Sequence, residues 1–296
     1  MAATQAIDWA YPTAGVVGAS LAVTGTVLQS VLRNPLAEPY LMGTVGGAAL
    51  LAAGAMVSGL TALGAWVLPA ASFLGSCLSL ALVCGVAYFA GRARAAESAN
   101  PFLRSSGSTL VLAGFVTGGF TGSLNMLILS YAKPEDFAAV SKWLYGSLGS
   151  ATSGSWMLCC AVFALVFGVL LTLARRLDVL ELGRSEAECL GINARAIIVT
   201  VLVAASLMTA VSVALAGAIG FAGLVVPHVV RRLAGPRLTR VLPCAALAGA
   251  AFLVAAEAVR RLLPGDVPVG VVAAICGAPC VFALLVSRRN GEGRDV

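Results

Sequence analysis

The chain has 296 residues, 59% hydrophobic and 11% charged, with a mean hydropathy of +0.96 and a net charge of +6. Soluble domains carry about 25% charged residues, so this sequence lacks the polar side chains to cover a globule and reads as an integral membrane protein. Its apolar runs last roughly 20 residues without alternating, which excludes barrel strands, and its basic residues lie between those runs, where membrane orientation accounts for them better than nucleic-acid binding does.

The first ten residues, MAATQAIDWA, contain no Lys or Arg, so the basic start of a cleavable signal peptide is missing. Nine apolar segments follow, at about 12–32, 40–59, 67–91, 107–131, 155–174, 196–216, 218–233, 241–260 and 267–287. They predict an all-α polytopic membrane bundle of about nine transmembrane helices, forming a single domain over residues 1–296. Between the first two segments, Arg33, Asn34, Pro35, Glu38 and Pro39 make a charged turn. The residue before a proline disfavours the helical region, so the turn ends the helix, with Arg33 and Glu38 as candidate local charge partners. Residues 132–154 read as a short helix followed by a Gly/Ser turn.

The loop at about 175–195 has an amphipathic pattern of its own: Leu182, Glu186, Cys189 and Leu190 recur at helical spacing, and Ser185 with Glu188 fits a capping box. A solvated surface helix and a docking helix for a partner fit this pattern equally. The seventh segment is short and Gly/Pro-rich, which predicts a broken or tilted helix. Glu257, near the outer end of the eighth, is spaced to pair with Arg260 and Arg261.

Orientation follows from charge. If the first segment runs inward, fifteen of the nineteen Lys and Arg residues lie in inside loops, and only Lys133, Lys142, Arg260 and Arg261 lie outside. This places the C-terminus in the cytoplasm, the N-terminus outside and the Arg33–Pro39 turn on the cytoplasmic side.

No catalytic constellation is present. One histidine, His228, cannot supply a triad or a His-metal cluster, and it reads as a packing or hydrogen-bonding residue. No phosphate-binding loop with its lysine occurs, so ATP hydrolysis is not expected of this chain, and no cofactor is expected. The eight cysteines, Cys159, Cys160, Cys276 and Cys280 among them, make no zinc-type pattern and read as small core residues. The apolar segments hold almost no ionisable residues, which argues against a proton- or sodium-driven carrier.

Five stretches, VLQSVLRNPLAEPYLMGTVGGA, KWLYGSL, LGRSEAECLGINAR, VSVALAGAIGFAGLVVPHVVRRLAG and VPVGVVAAICGAP, occur in this order over about Gly15 to Arg289. Together they closely resemble the FecCD-type permeases, membrane subunits of ABC importers for iron-siderophores, haem and cobalamin. The resemblance implies a bacterial inner-membrane homodimer that binds two cytoplasmic ATP-binding subunits and receives cargo from a periplasmic substrate-binding protein. It implies alternating access, with Gly183, Glu186, Leu190 and Gly191 in a coupling helix that sits against the ATPase. It implies a passage lined by the fourth segment, with Ser106, Gly107 and Ser108 at its gate, and binding-protein docking through Arg261. Family members usually have ten helices, and the first has no counterpart here; Ile7, Asp8, Trp9 and Ala10 stand where an Arg-Leu-Pro-Arg motif is expected. Two other readings stay open: a secondary carrier without an ATPase, and a truncated or degenerate permease that does not transport.

Overall fold

The computed structural model describes residues 8–40, 43–64, 66–93, 107–148 and 151–292. Eleven α-helices follow in order: α1 (Ala10–Leu32), α2 (Thr44–Val57), α3 (Val67–Ala93), α4 (Gly107–Ser130), α5 (Pro134–Leu144), α6 (Ser153–Leu182), α7 (Arg184–Cys189), α8 (Ala194–Ala216), α9 (Ala222–Ala234), α10 (Leu238–Leu262) and α11 (Val269–Glu292). A 3-10 turn, Leu60–Leu63, joins α2 to α3, and no strand occurs among the described residues.

All nine apolar segments are helical, but they are not nine equal spans. A bilayer core about 30 Å thick needs about 20 residues of helix. Helices α1, α3, α4, α6, α8 and α10 are long and apolar enough, whereas Thr44–Val57 and Ala222–Ala234 have 14 and 13 residues. The shortening of α2 has a local cause. Proline at 39 holds Glu38 out of the helical region, and Gly43 has φ 74°, a left-handed conformation that delays the helix start to Thr44. Helix α9 is short because the chain from Gly217 to Phe221 is not helical, with Gly217 at φ 73° and Phe221 at φ 69°. The seventh segment, expected to be broken or tilted, is one short continuous helix that starts four residues late.

Helix α1 is the central post. Almost all of its side chains are buried, and it packs against α6, α8, α9 and α10. Two glycine pairs allow this closeness. A Cβ at Gly18 would collide with the carbonyl of Gly249 on α10, and one at Gly25 with the carbonyl of Gly223 on α9. Around it lies one large apolar cluster that includes Val23, Val27, Leu170, Leu177, Val201, Met208, Leu238 and Leu242.

Helix α4 is held differently. Apart from Gly114, its described buried residues, Ala113, Thr117, Thr121, Asn125 and Leu129, recur every four positions and make a single stripe. Leu112, Phe115, Val116, Phe120, Met126 and Leu127 are exposed around it. The stripe rests against α2 and α3, and the rest of the helix is free to face a cavity. The cysteines are less uniform than the sequence suggests. Cys159 is buried, while Cys77, Cys189, Cys244, Cys276 and Cys280 are exposed, and none forms a disulfide.

Candidate translocation cavity and coupling surface

A cavity of about 750 Å³ runs beside α4. Its walls are Gly114, Gly118, Gly119 and Gly122 of α4, Val45, Gly46 and Ala49 of α2, and Gly270, Val271 and Ala274 at the start of α11. Phe137, Ser141, Leu144 and Tyr145, from α5 and its end, lie along it, and Tyr40 and Gly220 also border it. Glycines on α4 are what make the space, since any larger side chain there would fill it. Among the described lining residues none is charged.

The α5 end is tied together by backbone. Ser147 N–H donates to Ala216 O (2.9 Å), Val269 N–H donates to Gly146 O (3.2 Å), and Lys142 forms an ion pair with Asp266. This pair joins α5 to the α10–α11 loop, and the lysine holds the Asp266 carboxyl below the usual range.

Helix α9 is gripped at both ends. At its start, Glu38 Oε1 accepts the Phe221 N–H at 2.7 Å, and Gln29 Nε2 donates to Gly223 O at 3.2 Å. A carboxylate here meets the positive end of the helix dipole. Glu38 is nonetheless only 6% exposed, and burial pushes its carboxyl up to about 7, the Phe221 N–H opposing. At the other end, Arg231 Nη2 donates to Ser30 Oγ (2.6 Å) and Glu181 Oε1 (3.0 Å). Asp178 Oδ1 accepts the Leu238 N–H at 2.8 Å and so closes the start of α10. The Arg33–Glu38 pairing expected from sequence does not form. Arg33 is exposed at the left-handed end of α1, whereas Glu38 is buried against α9.

The predicted coupling residues come together on one surface element. Helix α6 runs eight residues past its expected end, to Leu182, and α7 then occupies Arg184–Cys189. Gly183 joins the two, and Glu186 folds back over it so closely that a Cβ there would strike its carboxylate. The predicted capping box is absent. The helix begins before Ser185, whose hydroxyl donates to Glu186 instead (3.0 Å), while Glu188 pairs with Arg184 (3.2 Å). The Glu186 carboxyl lies below its ordinary range because its own backbone N–H, the Ser185 hydroxyl and nearby Arg33 favour the anion. Gly191 ends the element at φ +74°, and Ile192 N–H returns to Ala187 O at 2.9 Å, a left-handed closure suited to glycine. Ala187 is buried underneath, yet Leu182 and Leu190 are 70% and 67% exposed.

Arg261 stands apart from these residues. Its Nη1 meets Asp8 Oδ2 at 2.5 Å, its Nε donates to Glu257 Oε1 at 2.8 Å, and its guanidinium lies 4.3 Å over the Tyr11 ring. Arg260 Nε takes the other Glu257 oxygen at 2.7 Å, so the local pairing expected from sequence is present. The Arg261 contact holds the Asp8 carboxyl low. This cluster flanks the first residues of α1, while Ser30, Arg231 and Glu181 flank its last. At 1.5 Å per residue the two sites are roughly 30 Å apart along α1. Of the predicted gate, Ser106 lies outside the described residues, and Gly107 and Ser108 open α4.

Sequence reasoning passed over Asn125, which lines the cavity from the buried stripe of α4. It also missed the pairings of Glu38, Asp178 and Arg231. A search limited to ionisable groups could not find Asn125; its one signal is being an amide in an otherwise apolar run, LNMLIL.

A helical membrane bundle with a cavity along one side, uncharged among its described lining residues, and an exposed surface helix at one end fits a transport permease. The chain belongs to the FecCD transport family, whose pattern matches residues 11–288. It is similar to the ABC transporter permease protein YvrB of Bacillus subtilis (strain 168), 35% identical over 96% of this chain and 78% of that protein. It is also similar to the cobalamin import system permease protein BtuC of Halobacterium salinarum, 36% identical over 92% of this chain and 70% of that protein. A solved structure of a metal-chelate type ABC transporter in an inward-facing conformation superposes with a TM-score of 0.82 and 30% identity, covering 96% of this chain and 89% of that one.

Proposed function

We propose that this chain is the membrane-spanning permease subunit of an ATP-driven importer for iron-siderophore, haem or cobalamin-type chelates. The observation that carries this reading is the cavity of about 750 Å³ with no charged lining among the described residues, built on a glycine-faced helix. A space of this kind suits a bulky cargo whose charge is internally compensated. Two copies of the chain bring two such cavities together about a shared passage. The chain lies in the bacterial inner membrane with its C-terminus in the cytoplasm, a placement supported by the asymmetry of its arginines.

Helix α7 docks a cytoplasmic ATP-binding subunit. Exposed Leu182 and Leu190 supply apolar anchors, and Gly183, Glu186 and Gly191 set the helix's shape. Movement of α7 passes into α6, and from there through Glu181 and Asp178 to both ends of the α9–α10 corner. Because Arg231 also holds Ser30, the far end of α9 and the end of α1 move with it. Ser106, Gly107 and Ser108 close the passage on the cytoplasmic side. At the opposite end, Arg261 receives an acidic group of a periplasmic binding protein, in competition with Asp8.

The test is ATP hydrolysis by the cognate ATP-binding subunit when it is co-reconstituted with this chain. Hydrolysis stimulated several-fold by the loaded binding protein supports the reading. A chain that transports cargo while retaining no ATPase contradicts it in favour of a secondary carrier.

A further inference from the structure

We infer that the side-chain amide of Asn125 is a hydrogen-bonding station for cargo within the cavity, matched to a large, charge-compensated chelate whose periphery carries amide or hydroxyl groups. This rests on the importer reading above and narrows it to a residue and a cargo chemistry.

Asn125 lies on the buried stripe of α4, lines the cavity and is 8% exposed. Its carbonyl oxygen is buried and has no hydrogen-bond partner. An unpaired buried acceptor is costly, and folded proteins keep few of them without a reason. The other polar residue one turn away solves the problem locally: Thr121 Oγ1 donates to Thr117 O at 3.0 Å. An asparagine amide does not close back onto its own helix in this way, and no neighbour supplies it. An apolar residue of the same size would fill the stripe at no polar cost, as Ala113 and Leu129 do. The residue borders the cavity, and half a turn of the amide about its Cβ–Cγ bond exchanges the sealed oxygen with the amide nitrogen, so that the oxygen meets cargo.

The surroundings define what it serves. The other polar side chains on the wall are neutral: Ser141, Tyr40 and Tyr145. A bare multivalent anion or cation entering this space would give up hydration without meeting an opposite charge, which is prohibitive at membrane depth. A chelate that buries its own charge and offers N–H or O–H groups outward needs only what is here, an apolar surround with a few neutral hydrogen-bonding groups. One such contact is strong enough to keep the cargo solvated in passage and weak enough to release it.

The experiment uses the whole transporter, permease with ATPase and binding protein, in proteoliposomes. The probes are radiolabelled cyanocobalamin, a ferric hydroxamate siderophore and molybdate. Wild type, Asn125→Leu and Asn125→Gln are compared, and the unfolding temperature of each permease is measured in detergent. Loss of one hydrogen bond predicts that Asn125→Leu slows uptake of the chelate that wild type carries by about five- to tenfold. Asn125→Gln, which keeps an amide, retains more of it. The unfolding temperature of Asn125→Leu stays level or rises, because an unpaired buried oxygen has been removed. Wild-type uptake by Asn125→Leu overturns the proposal, as does a lowered unfolding temperature, which would make the amide a structural group. Faster uptake of molybdate than of either chelate overturns the cargo class. If wild type moves none of the three, the proposed cargo chemistry is overturned, while uptake of haem in its place leaves the importer reading standing, and the unfolding comparison still decides whether the amide holds the fold.

Discussion

Replacing Glu38 with glutamine should remove a pH dependence built into the turn between α1 and α2. Glu38 is 6% exposed, and its Oε1 accepts the Phe221 N–H at 2.7 Å. Burial raises its carboxyl from an ordinary 4.5 to about 7. An acid whose native value is raised favours the protonated form in the fold. Its contribution to stability is therefore full below about pH 4.5 and is lost as the pH rises through about 7. At about 1.4 kcal/mol for each tenfold change in proton affinity, the loss approaches about 3 kcal/mol. Glutamine keeps an acceptor for the Phe221 N–H and cannot ionise. For a protein of this size, 1 kcal/mol moves the unfolding temperature by about 2–4 °C. Between pH 5 and pH 8 the wild type should therefore lose roughly 5–10 °C relative to Glu38→Gln. The assay is thermal unfolding of both proteins in one detergent across that range. The two share all other titrating groups, so their difference isolates Glu38. Parallel curves would refute the reasoning and show that the carboxyl is solvated or paired in the native state.

Three further outcomes are expected. Glu186→Ala combined with Leu190→Arg should cut co-purification with the ATP-binding subunit at least about tenfold, the scale of 1.4 kcal/mol, while unfolding stays unchanged because both side chains are exposed; undiminished co-purification removes α7 from the docking surface. Gly25→Val should lower stability by about 1–3 kcal/mol or more, since its side chain meets the Gly223 carbonyl between two packed helices; a wild-type unfolding temperature would mean that α1 and α9 are not in backbone contact. Reporter fusions at Val296 and within residues 58–65 should report opposite sides of the membrane, and a periplasmic signal at Val296 would invert the orientation.

Long-range composition was readable in this chain, and local pairing was less so. Uninterrupted apolar runs located all six described helices that are long and apolar enough to cross a membrane, because hydropathy over about 20 residues needs no knowledge of neighbours. Glu257 with Arg260 and Arg261 was also readable, since the three share one helix face. The capping box failed because α7 starts two residues earlier than the box requires, with Gly183 rather than Ser185 at its N-cap. Arg33 and Glu38 failed because the turn folds back along α9, carrying Glu38 to a backbone N–H 183 positions away. Asn125 escaped notice because its importance lies in what it lacks, and an unpaired oxygen is visible only once its neighbours are in place.

The central claim is that ATP, spent in a partner subunit, drives a chelate through the cavity beside α4. It is tested most directly by cargo uptake into proteoliposomes holding this chain with its ATPase and binding protein, with ATP or an imposed proton or sodium gradient as the only energy source. The account predicts uptake with ATP, none with either gradient alone, and loss of ATP-driven uptake when a bulky residue such as Trp replaces Gly118 in the cavity wall. Uptake driven by a gradient without the ATPase, or undisturbed by Gly118→Trp, would contradict it.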